Sequence, residues 1–337
     1  MPDAAPRGTP RVSVIIPTYE RRASIERALH ALAHQTLAPD AYEIIVAIDG
    51  STDGTRELVE SVHVPYAVKV VWKPRGGRAS ACNAGLRVAE APIVLFLDDD
   101  MEASGQLLEA HLAIHEKESH VGVVGAVPIR TDARSPTVTR FIASRFNGHL
   151  ANLAMPGYEF GLRDFYSGNF SVARRTMVDI GGYDEAFTVY GNEDLDLSLR
   201  LRSAGVRLVF SAEAAAHQHY EKDFAALARD TLEKGRTAVQ LARKHPDSMR
   251  DLKLSQFDRG PLASRLLRDT LLAADARWPA VRDQVVRITS WLGDRRVPGL
   301  HRAYPAVLDY FYWLGARAAQ ADVRVASPES RPAPTTR

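Results

Sequence analysis

Three consecutive aspartates, Asp98, Asp99 and Asp100, close an apolar run from Ile93 to Leu97. Carboxylates this crowded repel one another and need a positive counterpart. Hard oxygen ligands at this spacing suit Mg2+ or Mn2+, ions that commonly also hold substrate phosphates. A solvated acidic turn capping a strand is the plain alternative. Asp49 ends a second apolar run and can accept hydrogen bonds from a base imide or a ribose; anchoring its own turn, 49–55, is the local alternative. Arg78 ends a basic, glycine-bearing loop, Lys73-Pro74-Arg75-Gly76-Gly77-Arg78, and with nearby backbone N–H groups it can hold phosphate. Pro17-Thr18-Tyr19-Glu20 forms a turn after a third apolar run. A further acidic pair, Glu193-Asp194, opens a helical stretch, where the helix dipole alone favours acids.

These groups need elements to position them. The run 93–97 is short, partly β-branched and headed by Pro92, which reads as a buried central strand of a parallel sheet. Further strands are expected at 12–16, 42–48, 68–72, 121–129, 166–172 and 206–210, with helices between them. Ser24 is a candidate helix cap, 137–153 mixes helix and loop, and His217-Gln218-His219 falls in a loop. Such alternation predicts an α/β fold, a mostly parallel Rossmann-like sheet flanked by helices. In open sheets of this kind, ligands sit outside the carboxyl ends of the strands. The Pro17–Glu20 turn, Asp49, the Arg78–Asn83 segment and Asp98–Asp100 all fall at such ends and should converge on one rim.

From about Phe224 the chain turns helical, with helices expected at 227–244, 262–276, 280–292 and 304–319. The domain reading is a disordered tail at 1–11, a catalytic α/β domain at 12–223, a helical extension at 224–325 and a disordered tail at 326–337. The apolar cluster Phe311-Tyr312-Trp313-Leu314 suggests a peripheral membrane contact, and the extension offers a homodimer surface or a wall of the ligand site as other uses. A net charge of +2 gives no field directed at nucleic acid. One cysteine, Cys82, excludes an intrachain disulfide framework and fits a cytoplasmic protein, at most held at the inner face of the membrane. No apolar run approaches the roughly 20 residues of a membrane span. Neither Gly-x-Gly-x-x-Gly after a strand nor Gly-x-x-x-x-Gly-Lys-[Ser/Thr] occurs, which sets aside dinucleotide-binding and P-loop sites.

Five stretches in order resemble the family 2 glycosyltransferases of the GT-A fold. They are Val12-Ser13-Val14-Ile15-Ile16-Pro17-Thr18-Tyr19, Asp49-Gly50-Ser51-Thr52-Asp53-Gly54-Thr55, Phe96-Leu97-Asp98-Asp99-Asp100, Gly181-Gly182-Tyr183-Asp184-Glu185 and Gly191-Asn192-Glu193-Asp194-Leu195-Asp196-Leu197. The resemblance covers about residues 12 to 220 and implies a nucleoside-diphosphate sugar as donor. It implies that Pro17, Thr18, Tyr19, Glu20 and Asp49 line the nucleoside pocket, with Arg78, Asn83, Asp98 and Asp99 alongside the donor. Asp100 and Asp98 match the family's Asp-x-Asp metal element, and His217 matches a histidine that completes the metal or diphosphate site, with His219 as the weaker candidate. Gly168 and Asn169 match a loop at the junction of donor sugar and acceptor. Glu193 and Asp194 match the acidic pair near the acceptor, where Asp194 is the general base.

The implied reaction is an inverting transfer to an acceptor hydroxyl on a saccharide, a lipid or a small molecule. A hydroxyl is a poor nucleophile, so a carboxylate must take its proton. The departing diphosphate gains charge, which a metal and Arg78 would offset. The chain departs from the family at Ile48-Asp49, where many relatives have two aspartates, at Cys82, where relatives often have arginine, and at Asn192. Arg78 or Arg75 is the candidate replacement for the missing arginine. Two rival readings are a nucleotidyltransferase and a non-catalytic protein that binds sugar nucleotides. The first lacks its Lys/Arg-bearing glycine loop after the first strand. The second sits poorly with intact Asp100, Glu193 and Asp194.

Overall fold

A computed structural model describes residues 9–326. The expected tails, 1–11 and 326–337, fall largely outside that range. The strands are β1 (Val12–Thr18), β2 (Tyr42–Asp49), β3 (Ala67–Lys73), β4 (Ile93–Leu97), β5 (Met101–Ala103), β6 (Val121–Gly125), β7 (Asn169–Ala173), β8 (Arg207–Ser211) and β9 (Ala216–Gln218). Helices α1 (Arg22–Leu32), α2 (Thr55–Ser61), α3 (Arg78–Val88), α4 (Leu107–Lys117), α5 (Thr137–Leu153), α6 (Arg174–Asp179) and α7 (Glu193–Ser203) alternate with them. Four more follow: α8 (Phe224–Lys244), α9 (Leu262–Arg277), α10 (Val281–Asp294) and α11 (Tyr304–Ala326).

Seven strands form one sheet in the order β3-β2-β1-β4-β7-β6-β8. β3, β2, β1 and β4 run parallel, β7 is antiparallel to both of its neighbours, and β8 is parallel to β6. The mostly parallel α/β expectation is met. All seven residues of β1 are buried, and its side chains alternate between two cores. Val12, Val14 and Ile16 enter one, and Ile15 enters the other. A strand covered on both faces has no polar side, which is why its sequence reads as a continuous apolar run. Of its two buried polar residues, Ser13 and Thr18, Ser13 donates to Glu43 Oε1 at 2.6 Å and accepts from the Ala91 backbone N–H at 3.0 Å.

β1 lies between β2, which precedes β3, and β4, which continues the chain the other way across the sheet. The connections diverge there, so the carboxyl ends of β1 and β4 border the crevice where open sheets bind ligands. Just past β4, a small second sheet pairs β5 with β9, placing Glu102 opposite His217 and Met101 opposite Gln218. His217 and Gln218, expected in a loop, are therefore strand residues. The 137–153 segment, expected to mix helix and loop, is one continuous helix. Ser24 is buried within α1 instead of capping it. The expected strand 121–129 stops at Gly125, because Ala126 and Pro128 turn their carbonyls to the Ala216 and Gln218 N–H groups.

The chain divides into two compact units, the second holding Lys222–Arg337 together with Pro136–Val138 and Tyr190–Asn192. In this second unit α8 and α11 approach backbone to backbone. A Cβ on Gly235 would lie 1.9 Å from the Tyr312 carbonyl oxygen, and one on Gly315 would lie 1.9 Å from that of Leu232. Only glycine permits this approach. Phe311, Tyr312 and Trp313 are buried, with Trp313 edge-on to Phe257 at 4.7 Å. The cluster that suggested a membrane contact is core, because its side chains fill the interior of this unit. Among the described residues, no helix is long and apolar enough to cross a membrane.

Candidate active site

The acidic triplet leaves β4 into a tight turn and its three carboxylates diverge. The Asp98 backbone N–H donates to the Gly168 carbonyl at 2.9 Å, tying the end of β4 to the start of β7. A Cβ on Gly168 would stand 2.5 Å from Asp98 Oδ2, so a larger residue there would displace that carboxylate. Arg78, the first residue of α3, donates to Asp98 Oδ1 from Nη2 at 2.8 Å and from Nε at 3.0 Å. The same guanidinium donates to Ser167 Oγ at 3.0 Å and to the Ser167 carbonyl at 3.2 Å. Its Nη1 lies 3.7 Å from Asp194 Oδ1, which also accepts a hydrogen bond from Ser167 Oγ. One guanidinium therefore stands between the acid at the end of β4 and the acid at the start of α7. Asp98 and Asp194 keep 34% and 30% side-chain exposure, so both can be reached from solvent.

Asp99 points inward. It accepts from Thr18 Oγ1 at 2.8 Å and from Arg21 Nη1 at 2.9 Å. Burial raises its pKa to about 6 against the pull of Arg21. Thr18 and Asp99, expected beside the donor, clamp β1 to β4, each buried and bonded to the other. Asp100 accepts from Gln218 Nε2 at 3.2 Å and lies 3.5 Å from Arg21 Nη1, while its carbonyl accepts from the His219 N–H at 2.9 Å. Across the small sheet, His219 Nε2 meets Glu102 at 2.8 Å. His217 faces the same glutamate in register, and burial lowers its pKa.

The other end of the rim is built around Asp49. Its Oδ1 accepts from Lys73 Nζ and the Gly76 N–H, both at 2.8 Å, and its Oδ2 accepts from the Gly77 N–H at 2.8 Å. Asp49 thus shapes the basic loop before α3. Above it the Arg75 guanidinium lies 4.2 Å from the centre of the Tyr19 ring and donates to its hydroxyl at 3.0 Å. Glu20, at φ 51°, accepts from the Thr52 N–H at 2.8 Å. Of the Pro17–Glu20 turn, Tyr19 and Glu20 are exposed while Pro17 and Thr18 are buried.

Asn83 departs from expectation. Its amide accepts from the Tyr183 N–H at 2.8 Å and donates to the Tyr183 carbonyl and to Glu185, both at 2.9 Å. An amide has two donor hydrogens and one acceptor oxygen. All three functions hold the loop after α6.

A buried polar chain fixes β7. Asn169 Nδ2 donates to the carbonyls of Ala126 and Ala214, at 3.2 and 2.8 Å, so its Oδ1 must accept from His111 Nε2 at 2.9 Å. His111 Nδ1 then accepts from Ser171 Oγ at 2.8 Å, and that oxygen accepts from His115 Nε2 at 2.8 Å. This polarity requires a neutral His111, and burial lowers both imidazole pKa values to about 4. A group depressed on folding adds stability that is complete above its unfolded pKa of 6.5 and lost as pH falls towards 4. For fully buried His111 that loss is on the order of 3 kcal/mol. Asp99, raised on folding, works in the opposite sense between pH 4 and 6. We expect two of the eleven histidines to stay neutral down to about pH 5 in an NMR titration of the imidazole protons. Titration of all eleven above pH 6 would refute this network.

As they stand, the carboxylates do not form a metal cage. Asp98 is paired to Arg78 and Asp100 lies beside Arg21. Among the described residues no three His, Cys, Asp or Glu side chains are grouped to hold an ion. Residues not singled out in the sequence also prove central. Arg21 follows the first turn, Gln218 lies between the two histidines, and Ser167 immediately precedes Gly168-Asn169. Their only signal was adjacency to a motif.

Residues 13–181 match glycosyl transferase family 2, and residues 148–222 match the N-terminal domain of galactosyltransferase. Validoxylamine A glucosyltransferase of Streptomyces hygroscopicus subsp. limoneus is 31% identical over 82% of this chain and 66% of its own length. Its counterpart in subsp. jinggangensis is 31% identical over 82% and 71%. The chain thus spans about two thirds of the length of these relatives. The mannosyltransferase PcManGT of Pyrobaculum calidifontis, solved in complex with GDP-Man and Mn2+, superposes with a TM-score of 0.57 at 21% identity, covering 95% of this chain and 90% of that one. S. aureus TarS superposes at 0.52 and 18% identity, covering 90% and 55%. The sheet with its reversed β7, the acids gathered at its rim and a family match over half of the sequence lead to one assignment: the chain belongs to glycosyl transferase family 2 and has the GT-A fold.

Proposed function

We propose that this chain transfers a sugar, with inversion, from a nucleoside-diphosphate sugar to a hydroxyl of a small polyhydroxylated acceptor. The observation that carries the reading is the position of Arg78 between Asp98 and Asp194. A diphosphate drawn to that guanidinium lies beside the acid pair that opens α7. Tyr19 and Arg75 offer a flat, exposed platform for the base. Arg78 offsets the charge that develops on the diphosphate as the glycosidic bond breaks. Asp194 takes the proton of the attacking hydroxyl from the opposite side. Glu193, buried at the first position of α7, supports the helix start next to that base. The two relatives named for validoxylamine A favour glucose as the sugar and a small molecule as the acceptor, over lipid or polysaccharide.

Assistance by Mg2+ or Mn2+, through Asp98, Asp100 and His217, remains the expectation of the family resemblance. Both Arg78 hydrogen bonds to Asp98 fall on Oδ1, so Oδ2 is the oxygen that would meet an ion. A thermal-shift panel tests both parts. UDP, GDP, UDP-glucose and GDP-mannose are each added with Mn2+ or with chelator. A ligand that binds only the folded state at 100 times its Kd raises stability by about 2.7 kcal/mol. We expect the ligands of one base to shift the melting temperature by several degrees while those of the other do not. No shift with any nucleotide in either condition would remove the donor site. A shift that survives chelator would remove the metal.

A further inference from the structure

We propose that Ser167 is the positioning residue of the general base: its hydroxyl fixes Asp194 Oδ1 and leaves Oδ2 to receive the acceptor's proton. This rests on the reading of Asp194 above. The direction of the hydrogen bonds follows from chemistry alone. A guanidinium only donates. Ser167 Oγ therefore accepts from Arg78 Nη1 at 3.0 Å, and its single hydrogen is left for Asp194 Oδ1. The Tyr183 hydroxyl also lies against the Ser167 side chain, and as a phenol it can donate in turn, so the charged carboxylate keeps the serine's hydrogen.

The serine is itself held from every side. It is fully buried. Its carbonyl accepts from Arg78 Nη2 at 3.2 Å, and the next carbonyl, of Gly168, accepts from the Asp98 N–H at 2.9 Å. The residue after that, Asn169, is locked by His111 and the carbonyls of Ala126 and Ala214. A hydroxyl on so constrained a backbone aims a carboxylate better than one on a free loop, and orientation of a base is a large part of its effect. With Oδ1 engaged by Ser167 and Arg78 nearby, the exposed part of the Asp194 carboxylate is the part that can meet an acceptor.

The test is Ser167→Ala, read as release of nucleoside diphosphate from UDP-glucose and GDP-mannose with water as acceptor, alongside donor affinity by calorimetry. Loss of one hydrogen bond to a charged group predicts a kcat about 10- to 100-fold lower. Donor Kd should stay within about twofold, since Arg78 keeps Asp98. Ser167→Thr retains the hydroxyl and should recover part of the lost kcat if it folds with an unchanged melting temperature. A kcat for Ser167→Ala near that of the wild type would overturn the proposal. So would a fall in kcat matched by an equal loss of donor affinity, which would place Ser167 in the service of Arg78 alone. A folded, donor-binding Ser167→Thr as slow as the alanine variant would also overturn it. Asp194→Asn separates the two readings. If it turns over normally, the base assignment itself is wrong. If it is inactive while Ser167→Ala is normal, only the role of Ser167 is lost.

Discussion

Asp194→Asn is expected to lower kcat by about 1,000-fold while leaving donor affinity within about twofold, because general base catalysis supplies roughly 100- to 10,000-fold. The substitution is nearly isosteric. Asn still accepts the Ser167 hydrogen bond through its carbonyl oxygen and stays 3.7 Å from the Arg78 guanidinium if the geometry holds. What disappears is a group that can take a proton. The fold should be little changed, since Asp194 is part-exposed and lies in the first turn of α7, where a neutral amide forfeits only a few tenths to one kcal/mol of dipole interaction. Stopped assays of nucleoside diphosphate release, with calorimetry of donor binding, separate the two quantities. A kcat within a few-fold of wild type would move the base elsewhere, with Glu193 the next acid in the chain.

Arg78→Met should act at the other end of the same array. The apolar chain keeps much of the volume and removes four hydrogen bonds, two to Asp98 and two to Ser167. Loss of one donor poised for developing charge costs about 100- to 1,000-fold in rate, so kcat/KM should fall by that range. Unlike the Asp194 variant, this one should bind donor more weakly. Arg78→Lys restores the charge without the planar fork and should fall between. Asp98 and Asp194 retain access to water and their charges are screened there, so the stability cost falls mainly on the buried Ser167 carbonyl, about 1–3 kcal/mol. Donor affinity unchanged in Arg78→Met would place the diphosphate away from α3.

Much of this arrangement was legible in the sequence wherever burial imposes a pattern. The runs 12–16, 42–48 and 93–97 are covered on both faces, so their composition alone marks them as strands. The acids that follow them are placed by the topology of such sheets. β5 and β9 escaped notice because strands of three residues are too short to carry a periodicity. What makes them strands is pairing between Glu102 and His217, more than 100 positions apart. α5 was obscured by Asn147 and Gly148 in its middle. Asn147 spends its amide on both backbone groups of Ile129, at 2.9 Å each, a use that only the folded chain discloses. Likewise, Asp49, Asp99 and Asn83 have side chains suited to a ligand, and the structure turns all three inward. Composition gives the functional group and not the direction in which it points.

The pairing of Asn83 with both backbone groups of Tyr183 works as a single rung of ladder made from a side chain. Asn147 builds the same rung against Ile129. A rung of this kind is indifferent to the identity of the residue it grips, since it reads only main-chain N–H and C=O. The side chains of Tyr183 and Ile129 are left to the core, where both are buried and Tyr183 stands edge-on to Phe96 at 5.1 Å. Two amide side chains thus set the path of two irregular stretches of main chain while the side chains of those stretches stay available for packing.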